Sequence, residues 1–246
     1  MNTENKIMRR IQWGAGYVMA FSLLLAVFFT SFQIAVYGDM DWFRRTYEKY
    51  EVLNDLDMTM DDVMYVTHEL MDYLIDRRDD LVVYTTIGGE TKDFFGERER
   101  FHMAKVKDLF LGGLQLRTIG LVLFAISFIF ILVTNADYKK ILPKTFWISL
   151  GITAVASVIM GVIVYFNFEE AFLIFHEFFF EDECWVFNPR YSYMIRMLPE
   201  GLFNDMALRV LGIFGIFIAL LLAMSIIMNR NFKKMDASKN AGEVAQ

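Results

Sequence analysis

Two histidines, His102 and His176, each stand just outside a long apolar run, and both lie on the same side of the membrane that such runs imply. Imidazole is the side chain best suited to moving protons near neutral pH. Two of them meeting at one face would form a catalytic site at the lipid–water boundary; the rival reading is structural hydrogen bonding. The third histidine, His68, is expected to be a solvated surface residue. The aromatic run from Phe172 to Phe187, including Phe175, Phe179 and Trp185, suits a dry pocket for acyl chains, or an interfacial aromatic belt. Arg117 and Arg209 lie a few residues inside the outer ends of apolar runs. They either snorkel to headgroups or hold an ester carbonyl or lipid headgroup. A zinc site built from His102, His176 and Glu177 lacks compact ligand spacing. Cys184 is the sole cysteine, so it forms no intramolecular disulfide, and no histidine adjoins it as a base. No Gly-x-Ser-x-Gly elbow, Walker loop or His-Glu-x-x-His motif occurs. No cofactor or metal is implied.

The elements that must position these groups follow from hydropathy. The chain has 246 residues, 56% of them apolar, above the 45–50% usual for soluble domains. Ile11–Val36, Leu114–Thr134, Phe146–Phe168 and Leu208–Met228 each reach the ~20 apolar residues that cross a bilayer. The first is too long for a signal-peptide core and lacks a following Ala-x-Ala site, so it is expected to be retained. Lys and Arg cluster before the first span, between the second and third, and after the fourth, which puts those segments in the cytoplasm. The opposite face is acidic: Tyr37–Gly113 has 18 acidic residues against 10 basic, and Glu169–Ala207 has 8 against 2. Such a face is a poor partner for nucleic acid.

The expected fold is an all-α membrane protein, with four transmembrane helices and a mostly helical extracellular cap. Residues 1–36 form the cytoplasmic N-terminus and first span, and 37–113 the cap. Residues 114–168 form spans two and three with their cytoplasmic loop, 169–207 an extracellular aromatic segment, and 208–246 the fourth span and tail. Within the cap, Thr59 opens a helix whose apolar stripe is Val63, Val66, Leu70 and Leu74. Leu81–Thr86 reads as a strand or hairpin ended by Gly88-Gly89. A second helix starts near Glu97 and puts His102, Val106, Leu109 and Phe110 on one face; Gly112-Gly113 allows a bend before span two. Asn188-Pro189 signals a turn, Leu198-Pro199 breaks the chain, and the tail after Lys234 is expected to be disordered.

Phe94–Phe110, with its charged run into His102 and Val106-Lys107, and Phe175–Phe203, with His176, Trp185-Val186-Phe187-Asn188-Pro189 and Leu198-Pro199-Glu200, resemble the lipoprotein intramolecular transacylase family, Lit, of Gram-positive bacteria. Glu69–Leu74 and the four-span layout also fit. Lys105 stands where the family has an acidic residue, and Asn188 where it has Asp. The resemblance implies four spans, an extracellular cap and two catalytic histidines, His102 and His176. The implied substrate is a diacylated bacterial lipoprotein among membrane lipids, whose sn-2 acyl chain moves to its own cysteine α-amine and leaves a lyso-form lipoprotein. Phe172, Phe175, Phe179, Trp185, Arg117 and Arg209 are the expected substrate contacts. A non-catalytic receptor or scaffold, and a metal-dependent lipid hydrolase, are the rival readings.

Overall fold

The computed structural model describes residues 3–180 and 183–244. Its helices are α1 (Thr3–Tyr37), α2 (Asp41–Lys49), α3 (Met60–Leu74), α4 (Glu97–Val133), α5 (Tyr138–Phe166), α6 (Phe168–Phe179), α7 (Tyr193–Met197) and α8 (Glu200–Val244). Strands β1 (Tyr84–Ile87) and β2 (Glu90–Asp93) form one hairpin. Among the described residues, α1, α4, α5 and α8 are long and apolar enough to cross a membrane. Only 11–17% of the most apolar windows of the last three is buried against protein. Their outward faces are rows such as Ile119, Val122, Ile126 and Ile129, which water would penalise and hydrocarbon accepts.

The contacts divide the chain into two compact units. The first comprises Met1–Ser31, Leu116–Ile159 and Gly212–Gln246. Its buried cluster is small: Met19, Ile131, Ala136 and Ile141, with Trp13 and Phe124 against it. Close backbone approach does much of the packing. A Cβ on Gly16 would stand 2.6 Å from Ile141 Cγ2, and one on Gly120 2.9 Å from the Ser22 carbonyl oxygen. Small residues at such crossings are how helices associate where lipid supplies no hydrophobic driving force. Gln12 Nε2 donates to the Thr134 carbonyl at 3.2 Å and so secures the end of α4.

The second unit comprises Phe32–Gln115 and Met160–Leu211, and has a large core. Val63, Val66, Leu70 and Leu74 all point into it, as their spacing predicts, and His68 is exposed. Thr59 caps α3 by accepting from the Asp62 N–H at 3.2 Å. The hairpin turn is Gly88-Gly89, with φ of 60° and 79°. Two successive positive φ values are what a tight two-residue turn demands and what glycine tolerates. Phe94 and Phe95 then enter the core, and Arg100 ties the hairpin to α4 by donating to Asp93 at 2.5 Å and to the Phe95 carbonyl at 2.7 Å.

One expectation is refined and one needs correction. Gly112-Gly113 lies within a continuous helix, α4 running unbroken from Glu97 to Val133. A mid-helix glycine costs only about 1 kcal/mol relative to alanine, less than breaking the helix's hydrogen bonds in an apolar setting would cost. The tail expected to be disordered instead continues α8 to Val244. The apolar helix ahead of this run has already met the cost of nucleation, so the helix need only be propagated.

Candidate active site

Both histidines belong to the second unit. His102 sits on the second turn of α4 and is buried, as expected for the face it shares with Val106 and Phe110. The apolar stretch of α4 begins at Leu114, so His102 precedes it by about three turns. His176 sits on the last turn of the amphipathic α6 and is half-buried. Asn167, with φ −139° and ψ 48°, separates α6 from α5 and lets α6 start afresh. The two imidazoles lie nearly parallel, their centroids 6.0 Å apart and their planes at 22°. Residues 74 positions apart in sequence thus lie side by side.

Aromatic rings enclose the pair. Phe180 touches both histidines, at 4.8 Å from His102 and 5.4 Å from His176. Phe187 meets His102 edge-on at 5.6 Å. Phe172 lies 4.0 Å from His176, Trp185 5.1 Å and Phe175 5.6 Å. Phe179 joins through Phe175, at 4.8 Å. The expected aromatic contacts therefore gather here. Arg209 is held elsewhere, 3.7 Å from Asp39 and with its guanidinium over Trp42. Arg117 belongs to the first unit.

The Nδ1 partners distinguish the two imidazoles. His176 Nδ1 is 2.8 Å from the Phe172 carbonyl, which can only accept, so Nδ1 carries the hydrogen. Its Nε2 therefore presents a lone pair. His102 Nδ1 instead faces the buried Cys184 thiol at 3.9 Å. With the S–H directed at Nδ1, the His102 Nε2–H is left to donate. Burial lowers both pKa values. His102 is pushed down to about 4, by loss of solvation first and then by the charges of His176 and Lys105. His176 is also lowered by burial, partly offset by its bond to the Phe172 carbonyl. Both rings are neutral at pH 7, one ready to take a proton and the other to give a hydrogen bond.

Sequence reasoning placed Phe180, the wall common to both rings, only within the aromatic run 172–187, and missed a carboxylate that braces α4. Glu99 is buried one turn before His102; its Oε1 accepts from the Ser192 hydroxyl and its Oε2 from the Gly96 N–H at 2.6 Å. Ser192 in turn caps α7 by accepting from the Ile195 N–H at 3.2 Å. The signal was present as Gly96-x-x-Glu99, the spacing of a reciprocal helix cap. Its long-range partner was not visible. Asn188 forms the expected turn by accepting from the Arg190 N–H at 2.9 Å. Among the described residues, no three His, Cys, Asp or Glu side chains are grouped so as to hold a metal ion.

The model of the family described as lipoprotein intramolecular transacylase Lit matches residues 17–203. A structure of the membrane integral lipoprotein intramolecular transacylase Lit from Bacillus cereus is similar with a TM-score of 0.69 at 22% identity, covering 92% of this chain and 99% of that one. A structure of that protein with one histidine changed to arginine gives 0.71 at 19% identity, over 94% and 96% of the two chains. An alanine variant gives the same score and identity, over 94% and 97%. None of the curated proteins compared matches. The likeness to the solved structures establishes the fold of a multi-pass membrane protein, and the match over 17–203 establishes more: this chain is a member of the lipoprotein intramolecular transacylase family, Lit.

Proposed function

We propose that His102 and His176 are the catalytic pair of this transacylase, with His176 as base and His102 as hydrogen-bond donor. The substrate is a diacylglyceryl-cysteine lipoprotein. Its α-amine attacks the sn-2 ester carbonyl through an eight-membered ring, formed by N, Cα, Cβ, S, two glyceryl carbons, the ester oxygen and the carbonyl carbon. The N–C bond forms and the C–O bond breaks. The proton that leaves nitrogen ends on the departing glyceryl oxygen, so nothing but the substrate is consumed. Medium rings close poorly unaided, and holding the reacting groups in place can be worth about 7–11 kcal/mol. The wall of Phe172, Phe175, Phe179, Phe180 and Trp185 suits that task and the acyl chains alike.

The observation that carries the reading is the nearly parallel imidazole pair, with His176 Nδ1 against the Phe172 carbonyl and His102 Nδ1 against the Cys184 thiol. The Nε2 lone pair of His176 accepts the amine proton; the Nε2–H of His102 stabilises the oxyanion of the tetrahedral intermediate. Protonated His176 then delivers the proton to the leaving oxygen. The substrate brings its own nucleophile, so the enzyme needs none. Arg209, bridged to Asp39 and stacked on Trp42, and Arg117 are suited to headgroup contact. The segregation of Lys and Arg supports a site on the extracellular side, with 37–113 as the cap and 1–36, 114–168, 169–207 and 208–246 divided as the hydropathy pattern suggests. The test is mass spectrometry of a synthetic diacylated lipopeptide incubated with purified protein. The expected product has unchanged mass and an N-acyl, S-monoacylglyceryl terminus. Release of free fatty acid would instead mean hydrolysis.

A further inference from the structure

One cavity of the second unit is not used by this chemistry. It measures about 470 Å³, lies beside the first turn of α4, and is lined by Glu97, Arg98, Asn188, Tyr191 and Tyr193 among others. Its inner wall includes Phe187 and Glu99. Phe187 is also a wall of the His102 pocket, 5.6 Å from the imidazole, and Glu99 lies one turn before His102 on the same helix. The groove and the catalytic pocket therefore share Phe187 as a wall. Its volume is within the range of about 300–1,000 Å³ common for ligand sites, enough for a few residues of extended chain at about 3.3 Å each.

The lining is unlike the catalytic pocket. Tyr191, Tyr193, Asn188 and charged groups stand beside Phe94 and Phe187, a mixed composition that gives a peptide both apolar and adaptable polar contacts. Tyr191 is 78% exposed, which packing within this chain does not explain. The charges lean acidic. Asp93, Glu97 and Glu99 line the groove against Arg98, with Asp93 paired to Arg100, Glu99 bonded to Ser192, and Glu97 exposed at the rim.

We propose that this groove holds the polypeptide of the lipoprotein, the few residues that follow its acylated cysteine, with a preference for basic over acidic ones. The proposal rests on the transacylase reading. If the ester carbonyl and α-amine lie between the two imidazoles and the acyl chains lie among the phenyl rings, the peptide must leave by a polar route. The groove that shares Phe187 with that pocket offers tyrosine, amide and charged groups to receive it.

The test uses the full-length protein in uncharged detergent micelles and three synthetic diacylglyceryl-cysteine substrates. One is capped as a methylamide, one continues as Ser-Lys-Lys-Lys and one as Ser-Asp-Asp-Asp. The wild type is expected to favour the lysine peptide over the aspartate peptide in kcat/KM by about three- to tenfold, the scale of one or two exposed charge contacts. Glu97→Lys should invert that ratio, and Tyr191→Ala should lower the lysine-peptide to methylamide ratio severalfold. Both positions are exposed, so the variants should fold. If Glu97→Lys and Tyr191→Ala leave both ratios at wild-type values, the groove is not a peptide site. If the wild type converts the three substrates equally, the groove proposal alone fails. If it converts none of them, the transacylase reading fails and takes this proposal with it.

Discussion

The two units differ in where most of their polar groups find partners, although Gln12 crosses to Thr134 in the first and Thr67 also bonds its own helix at Val63 in the second. In the first, side-chain hydroxyls turn back on their own helices: Thr30 donates to the Ala26 carbonyl at 2.7 Å, Ser31 to Val27 at 2.8 Å, Thr134 to Phe130 at 2.7 Å and Thr145 to Ile141 at 2.9 Å. In the second, polar groups reach between elements. Tyr47 and Thr67 share a hydrogen bond at 2.8 Å, Lys49 reaches Asp205 at 2.5 Å, and Glu99 joins α4 to Ser192. Lipid forces each helix to satisfy itself, since an unpaired polar group there costs several kcal/mol. In the second unit, cross-links hold irregular chain in place. Proton-transfer groups that must be buried yet remain reactive therefore belong in the second unit, and both histidines are there.

The sharpest test of that division is removal of the histidines. His176→Ala and His102→Ala should each reduce turnover of a diacylated lipopeptide by about 10²–10⁴-fold, the usual cost of losing a proton-transfer group. Detergent-solubilised variants should melt close to wild type in the case of His176, which is only half-buried. Turnover within threefold of wild type for both variants would leave the two-histidine mechanism without support.

A scaffold substitution should do the reverse. Gly16→Val would put a branched side chain where even a Cβ meets Ile141 at 2.6 Å, and overpacking of this kind costs about 1–3 kcal/mol. The melting temperature should drop, while kcat per folded molecule holds. A lowered kcat at an unchanged melting temperature would break the comparison, because it would make the first unit part of the chemistry.

How much of this was legible beforehand divides along the same line. The four spans, the α3 stripe, the Gly88-Gly89 turn and the burial of His102 are all local or periodic signals, and each is present in the structure. The aromatic character of the pocket was legible from composition, because Phe172, Phe175 and Trp185 are close to His176 in sequence. What could not be read was pairing over distance. Cys184 stands 82 positions from His102, and Ser192 stands 93 from Glu99. No periodicity links them, since the irregular chain between α6 and α7 decides what meets α4. The tautomers were likewise invisible, because they depend on which atom faces Nδ1.

The pH profile probes the burial that sets the second unit apart. The neutral form of His176 is the active base, and burial moves its pKa below the ordinary 6.5. The acid limb of kcat should therefore begin below pH 6.5, falling about tenfold per unit beyond it, while His102 stays neutral until about pH 4. Saturating substrate is needed, because the free α-amine titrates near 8 and would otherwise impose its own limb. An acid limb centred at or above 6.5 would mean that the imidazole is solvated during turnover, and that the aromatic wall does not exclude water.

The smallest effect is expected from the residue closest to being a rival nucleophile. Cys184 is buried with Sγ 3.9 Å from His102 Nδ1, the contact a thiol relay would require. In such a relay His102 would take the thiol proton and the sulfur would accept the acyl chain as a thioester. The substrate amine would then attack that thioester. Burial opposes this order, since it makes His102 a poor proton acceptor. An intramolecular transfer has no step for a thiol, and the thiol's role reduces to directing its hydrogen at Nδ1. Cys184→Ser keeps a donor at that place, with an oxygen that bonds more strongly than sulfur, so kcat should stay within about threefold of wild type, a change of under 1 kcal/mol. Cys184→Ala removes the donor but not the ring, and should fall a little further by letting the Nδ1–H tautomer compete. Intact-protein mass spectrometry during turnover separates the mechanisms. The intramolecular route never shows an acylated enzyme, whereas a mass increase of one acyl chain that vanishes in Cys184→Ser together with activity would establish the relay.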